Sequence, residues 1–110
     1  MWIMTTDGFF SAVQNKDAPE TVLIRARRRD DLERLNNCLK SDNVIIEWAG
    51  ADYPYRIIIP KSQWAEYLSF KALDISYSNF KATIPVSDFS RERAYHECWM
   101  SLMGLEEESA

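Results

Sequence analysis

The segment Thr21-Val-Leu-Ile-Arg-Ala-Arg27 changes side with every residue, and three residues beyond its end the apolar spacing lengthens to that of a helix. In an extended chain Val22, Ile24 and Ala26 share one face, while Leu23, Arg25 and Arg27 share the other. From Asp30 to Lys40, Leu32, Leu35 and Leu39 recur at helical spacing. A one-sided strand feeding a one-sided helix has its apolar side covered most directly by packing the two together, which points to a layered α+β fold.

The rest of the chain reads in the same way. Trp2–Thr6 and Phe9–Gln14 flank Asp7-Gly8, a two-residue hairpin signal, because a primed turn needs positive φ. Asn15–Glu20 is a polar loop. Asn43–Trp48 and Tyr53–Ile59 read as strands around an Ala49-Gly50-Ala51 turn, with Pro54 marking an edge or bulge. Lys61–Leu73 reads as a helix with Trp64, Leu68 and Ala72 on one face. Residues 74–81 are an irregular connector that Pro85 helps to close. Ser87 or Asp88 can cap a last helix that runs to about Leu102, with Tyr95, Cys98, Trp99 and Leu102 as its inward stripe and Gly104 as a left-handed stop. The order β-β-β-α-β-β-α-α predicts an antiparallel sheet with helices on one face, loosely ferredoxin-like. The second sheet face is then solvated or covered by another subunit. Residues 1–104 form one domain in this reading, and 105–110 a frayed acidic tail.

A chain of 110 residues with 46% apolar content can bury a core without covalent staples. Its formal charge of −4 falls to about −1 without the tail acids Glu106, Glu107 and Glu108, which argues against non-specific binding to long nucleic acid. Cys38 and Cys98, each within a predicted helix, read as reduced and mostly buried thiols, and with a single histidine they cannot complete a zinc set. The sequence carries no secretory signal pattern and no membrane-length apolar run, so the expectation is a cytoplasmic protein without metal or cofactor.

Three local patterns are distinctive: Asp52-Tyr-Pro-Tyr-Arg56 with the later Trp64-Ala65, Asp74-Ile-Ser-Tyr-Ser-Asn-Phe-Lys81, and Ala94-Tyr-His-Glu-Cys-Trp99. With the opening Met1–Ser11 they resemble a family of short bacterial and phage proteins over nearly the whole chain. Pro54 and Thr83-Ile84-Pro85 depart from that pattern. The resemblance implies a shared fold and a shared candidate surface, and it brings no activity with it.

Two constellations could carry chemistry. Arg25 and Arg27 project to one side of a strand and Arg56 lies on another, together an anion cradle, since guanidinium groups bind phosphate or carboxylate bidentately. The competing reading pairs these arginines with Asp30, Asp31, Glu33 or neighbouring strands. The second group is Tyr53, Tyr55, Tyr77, Asn79, Lys81, Tyr95, His96 and Trp99. Aromatic rings stack on bases, Asn reads base edges and Lys neutralises phosphate. Tyr95 and Trp99 read first as core, Tyr77 and Asn79 can simply shape a turn, and Lys81 has no packing task. For catalysis only His96 is a candidate, and no nucleophile elbow, phosphate loop or dinucleotide fingerprint occurs.

These residues favour a non-enzymatic protein that binds a small nucleotide or nucleotide-derived signal, as a phage counter-defence protein would, and that encloses it as a homo-oligomer. One alternative is a protein-interaction module that inhibits a host protein. A second is a small metal-independent phosphodiesterase or RNase using His96.

Overall fold

The computed structural model describes residues 1–106; the remainder of the acidic tail lies outside the described residues. The chain divides into two compact units, Met1–Ile75 and the segment from Ser76 onward.

The first unit is a five-stranded antiparallel sheet carrying two helices. Its strands are β1 (Trp2–Thr5), β2 (Gly8–Gln14), β3 (Thr21–Ala26), β4 (Ile46–Glu47) and β5 (Tyr55–Pro60). Their order across the sheet is β1-β2-β3-β5-β4. Helix α1 (Arg29–Leu39) follows β3, and α2 (Lys61–Leu73) follows β5 directly. Phe10, Ala12, Val22, Ile24, Ala26, Ile57 and Ile59 form the inner face and are buried against Leu32 and Leu35 of α1 and Trp64 and Tyr67 of α2. The period-2 expectation for β3 therefore holds residue by residue. The fold is α+β, as the pattern predicts.

The helix α2 buries Trp64 and Tyr67, whereas Ala72 is exposed. The stripe runs through i and i+3, and Tyr67 lies on it because its ring stacks on Trp64 at 5.5 Å and meets Phe10 edge-on at 5.8 Å.

The hairpin turn is shifted by one residue from the expected Asp7-Gly8. Thr5 pairs with Gly8, so Thr6 and Asp7 form the loop. Both helices fix this turn. Tyr67 Oη donates to Asp7 Oδ2 at 2.8 Å and, with its own proton so used, accepts from Thr5 Oγ1 at 2.7 Å. Lys71 pairs with the same carboxylate at 2.9 Å. From α1, Arg34 Nε donates to the Asp7 carbonyl at 2.6 Å, and its Nη2 pairs with Asp31 at 2.6 Å. Asp31 also accepts the Phe9 N–H at 3.1 Å. Its task is this buried contact, and not only the helix-dipole complement that its position at the start of α1 suggests. Gly8 has φ 151°, and a Cβ there would overlap the Asp31 carboxyl group.

Other boundaries differ from expectation. Strand β4 keeps only Ile46 and Glu47 of the expected Asn43–Trp48, because Asn43 is held instead by Asn36, Ser41 and Gln63 side chains. The left-handed helix stop is Lys40 (φ 53°), where the N–H groups of Lys40 and Ser41 reach the carbonyls of Asn37 and Asn36. Gly104 is not left-handed and lies in a short 3-10 turn.

The second unit contains a 3-10 turn (Phe80–Thr83) and helix α3 (Phe89–Leu102). Asp88 caps α3, its Oδ1 accepting the Arg91 N–H at 3.2 Å. Of the predicted inward stripe only Tyr95 is buried; Cys98, Trp99 and Leu102 are exposed. The expectation of two buried thiols likewise holds only in part, since Cys38 is partly buried and Cys98 is exposed. Among the described residues no helix is long and apolar enough to cross a membrane.

Candidate functional site: an arginine row on the outer sheet face

The register across the sheet builds one continuous row on the face turned away from α1 and α2. Trp2 pairs with Ser11, Ser11 with Arg25, Arg25 with Arg56, and Arg56 with Ile46. Two arginines thus stand directly opposite each other on neighbouring strands, an arrangement that repulsion disfavours. The next row on the same face is Val13, Leu23 and Ile58. This face is far more apolar than the usual solvated side of an antiparallel sheet.

The arginines are ordered by aromatic rings and neutral oxygens. Guanidinium carbons of Arg25 and Arg27 each lie 4.7 Å from the centre of the Tyr53 ring. Arg25 Nη2 donates to Ser11 Oγ at 2.7 Å, Arg27 Nη1 to the Asp52 carbonyl at 2.9 Å, and Arg56 Nε to the Tyr53 carbonyl at 3.2 Å. Arg56 also stands over the Trp48 ring at 4.7 Å. Cation–π contacts of this kind contribute about 0.5–2 kcal/mol each and leave guanidinium N–H groups available.

The neighbouring acids are committed elsewhere: Glu33 pairs with Arg29, and Asp30 and Asp31 pair with Arg34. Among the described residues no carboxylate pairs with Arg25, Arg27 or Arg56. The Nε of Arg25 is buried and donates to no acceptor among the described residues, a state that costs free energy.

The predicted site residues fall into three places. Arg25, Arg27, Tyr53 and Arg56 come together as described. Tyr55 pairs with Ala26 and packs against the core, on the opposite face of the sheet from Arg25 and Arg56. Tyr77, Asn79, Lys81 and His96 belong to the second unit. There Asn79 caps the 3-10 turn by accepting the Lys81 N–H at 3.1 Å, Tyr77 packs on Phe80 at 5.9 Å, and Phe80 stacks on Tyr95 at 6.0 Å. Lys81 and His96 meet at 3.4 Å beside Trp99.

Tyr53 itself is 5% exposed, so it orders the arginines and offers little ring to a ligand. The accessible rings near the row are Trp2 and Trp48, at 77% and 61% exposure. Trp2 meets Phe9 edge-on at 6.4 Å, and Phe9 meets Tyr53 at 6.4 Å. Neither tryptophan follows from reading the strands singly. Aligning the outward residues of β1, β2 and β3 side by side is the signal that places Trp2 in the row. Trp48 lies just outside β4, and only the fold sets its ring against Arg56.

No three His, Cys, Asp or Glu side chains gather as metal ligands among the described residues. Comparison with protein-family models, with curated proteins and with solved structures gives no match to this chain.

Proposed function

We propose that this is a non-enzymatic binding protein that holds a small nucleotide or nucleotide-derived signal on the outer sheet face. The observation that carries the reading is the directly opposed pair Arg25 and Arg56 without a carboxylate partner among the described residues. An oxyanion placed between two guanidiniums converts their repulsion into two sets of charge-assisted hydrogen bonds. Trp48 and Trp2 supply planar surfaces on which a base can stack, a contribution of about 1–3 kcal/mol per base in single-strand binders. A second copy of the chain laid over this apolar face would enclose the ligand.

Exposed Trp2, Ile46 and Ile58 on or beside the same rows support a second reading, in which the face is a docking surface for another protein. One experiment separates the readings. The purified protein is incubated with a panel of linear and cyclic nucleotides, freed of unbound material and denatured, and the released contents are identified by liquid chromatography with mass detection. Intact nucleotide is expected from the wild type, with at least tenfold less from Arg25→Gln/Arg56→Gln at unchanged circular dichroism. Cleaved product would replace the binding reading with an enzyme and make His96 its candidate base. No bound nucleotide would leave the protein-docking reading in its place.

A further inference from the structure

The second unit holds a basic and aromatic cluster that the arginine row does not use. Lys81 stands in the 3-10 turn, while His96 and Trp99 lie three residues apart on one side of α3. Lys81 Nζ sits 4.2 Å from the centre of the Trp99 ring and 3.4 Å from His96 Nδ1. The imidazole stacks on the same indole, with ring centres 5.6 Å apart and 30° between planes.

A lysine ammonium has three N–H groups and no lone pair, whereas imidazole Nδ1 accepts or donates according to the tautomer. With the proton on Nδ1, Lys81 Nζ and His96 Nδ1 are two donor nitrogens 3.4 Å apart on one side of the ring, a spacing at which a single oxyanion can accept from both. Both stand beside a half-exposed indole (Trp99, 50%).

The other bases of α3 are neutralised. Arg91 pairs with Asp88 at 3.0 Å and Arg93 with Glu97 at 3.2 Å. Lys81 and His96 have no carboxylate partner among the described residues. A set of converging donors without an acceptor is the chemistry of an oxyanion site, and a flanking indole strengthens it by displacing water.

We infer that Lys81, His96 and Trp99 form a second anion site, which takes a phosphate group, either free or as the terminal group of a nucleotide. It lies in the second unit and does not depend on the arginine row.

His96 is the only histidine in the chain, so its Cε1–H proton gives one assignable imidazole resonance. Inorganic phosphate is titrated into the full chain at fixed pH, with chloride holding ionic strength constant. The wild type and Arg25→Gln are expected to show the same saturable shift. Lys81→Arg should keep it, and Lys81→Gln should weaken it at least tenfold. Repeating the titration with a nucleoside monophosphate distinguishes the sources: tighter saturation means a nucleotide, equal saturation means free phosphate. The inference is overturned by a shift that never saturates, by one that chloride reproduces, or by one that survives in Lys81→Gln. Loss of the shift in Arg25→Gln would overturn the independence of the two sites. Failure of the arginine-row reading leaves all these outcomes unchanged.

Discussion

The two faces of the sheet are made from alternate residues of the same strands, yet they answer to different constraints. On the inner face Val22, Ile24, Ile57 and Ile59 are closed over by Leu32, Leu35, Trp64 and Tyr67, and each side chain has its packing partners inside the first unit. On the outer face the intervening residues are Leu23, Arg25, Arg56 and Ile58, and the charged ones lack carboxylate partners among the described residues. The inner face is complete within one chain. The outer face has a polarity and a geometry that folding alone does not require, and residues kept at such a cost are where function is to be sought.

Neighbouring isoleucines on β5 break this comparison most directly. Ile57→Ala removes a fully buried side chain from the inner face and is expected to destabilise by about 2–5 kcal/mol. Ile58→Ala, one residue on and 46% exposed, is expected to cost under about 1 kcal/mol. Equal losses in urea unfolding would mean that the outer face is as much a core as the inner one.

A smaller effect belongs to the polar end of the core. Burial first, with the nearby Asp7 charge adding to it, pushes the Tyr67 phenol above its ordinary value of about 10, against the lowering effect of its bond with Thr5. The unfolded chain titrates near the ordinary value, so the contribution of the neutral phenol is fully present below about pH 10. It is lost as pH rises from there towards the folded value. Tyr67→Phe is expected to cost about 1–2 kcal/mol at neutral pH, since Asp7 keeps Lys71, and to flatten the fall in stability above about pH 10. A variant whose alkaline slope matches the wild type would separate that slope from Tyr67.

The smallest effect in stability is the largest in proposed function. Arg56→Gln relieves the opposed charges and is expected to change stability by no more than about 0.5 kcal/mol, in either direction. It should nevertheless weaken nucleotide retention at least tenfold. A large loss of stability in thermal unfolding would show that Arg56 serves chiefly to hold Tyr53 and Trp48, making the row a structural clamp.

Much of this was legible before folding. The alternation of Val22, Ile24 and Ala26 with Leu23 and Arg25 fixes which side of β3 is buried, because side-chain direction in a strand has period 2. The Leu32 and Leu35 spacing does the same for α1. The structure departs from the sequence pattern where long-range contacts override local preference. A Gly at a turn signals positive φ, but the turn moved by one residue because Asp31, Arg34, Tyr67 and Lys71 hold its backbone and carboxylate. Asn43 was drawn out of β4 by side-chain hydrogen bonds that local pattern does not encode. Trp99 and Leu102 share a helical face with Tyr95, yet only Tyr95 is buried. Helical spacing gives a stripe, and how far that stripe is covered depends on what packs against it.

By itself, then, the sequence determined the order of the elements, the α+β class and the inward side of β3 and α1, all of which follow from local periodicity, whereas the inward side of β5, with three isoleucines in a row, came from the fold. The tertiary structure decided that Arg25 meets Arg56 and not another residue of β5. It also decided that Trp2 closes the same row, and that Lys81 reaches His96. Those pairings depend on strand register and on loop paths between residues far apart in the chain. Register is set by the fit of Val22 and Ile24 against Ile57 and Ile59 beneath the helices, and a slip of one residue would turn each of those side chains to the other face.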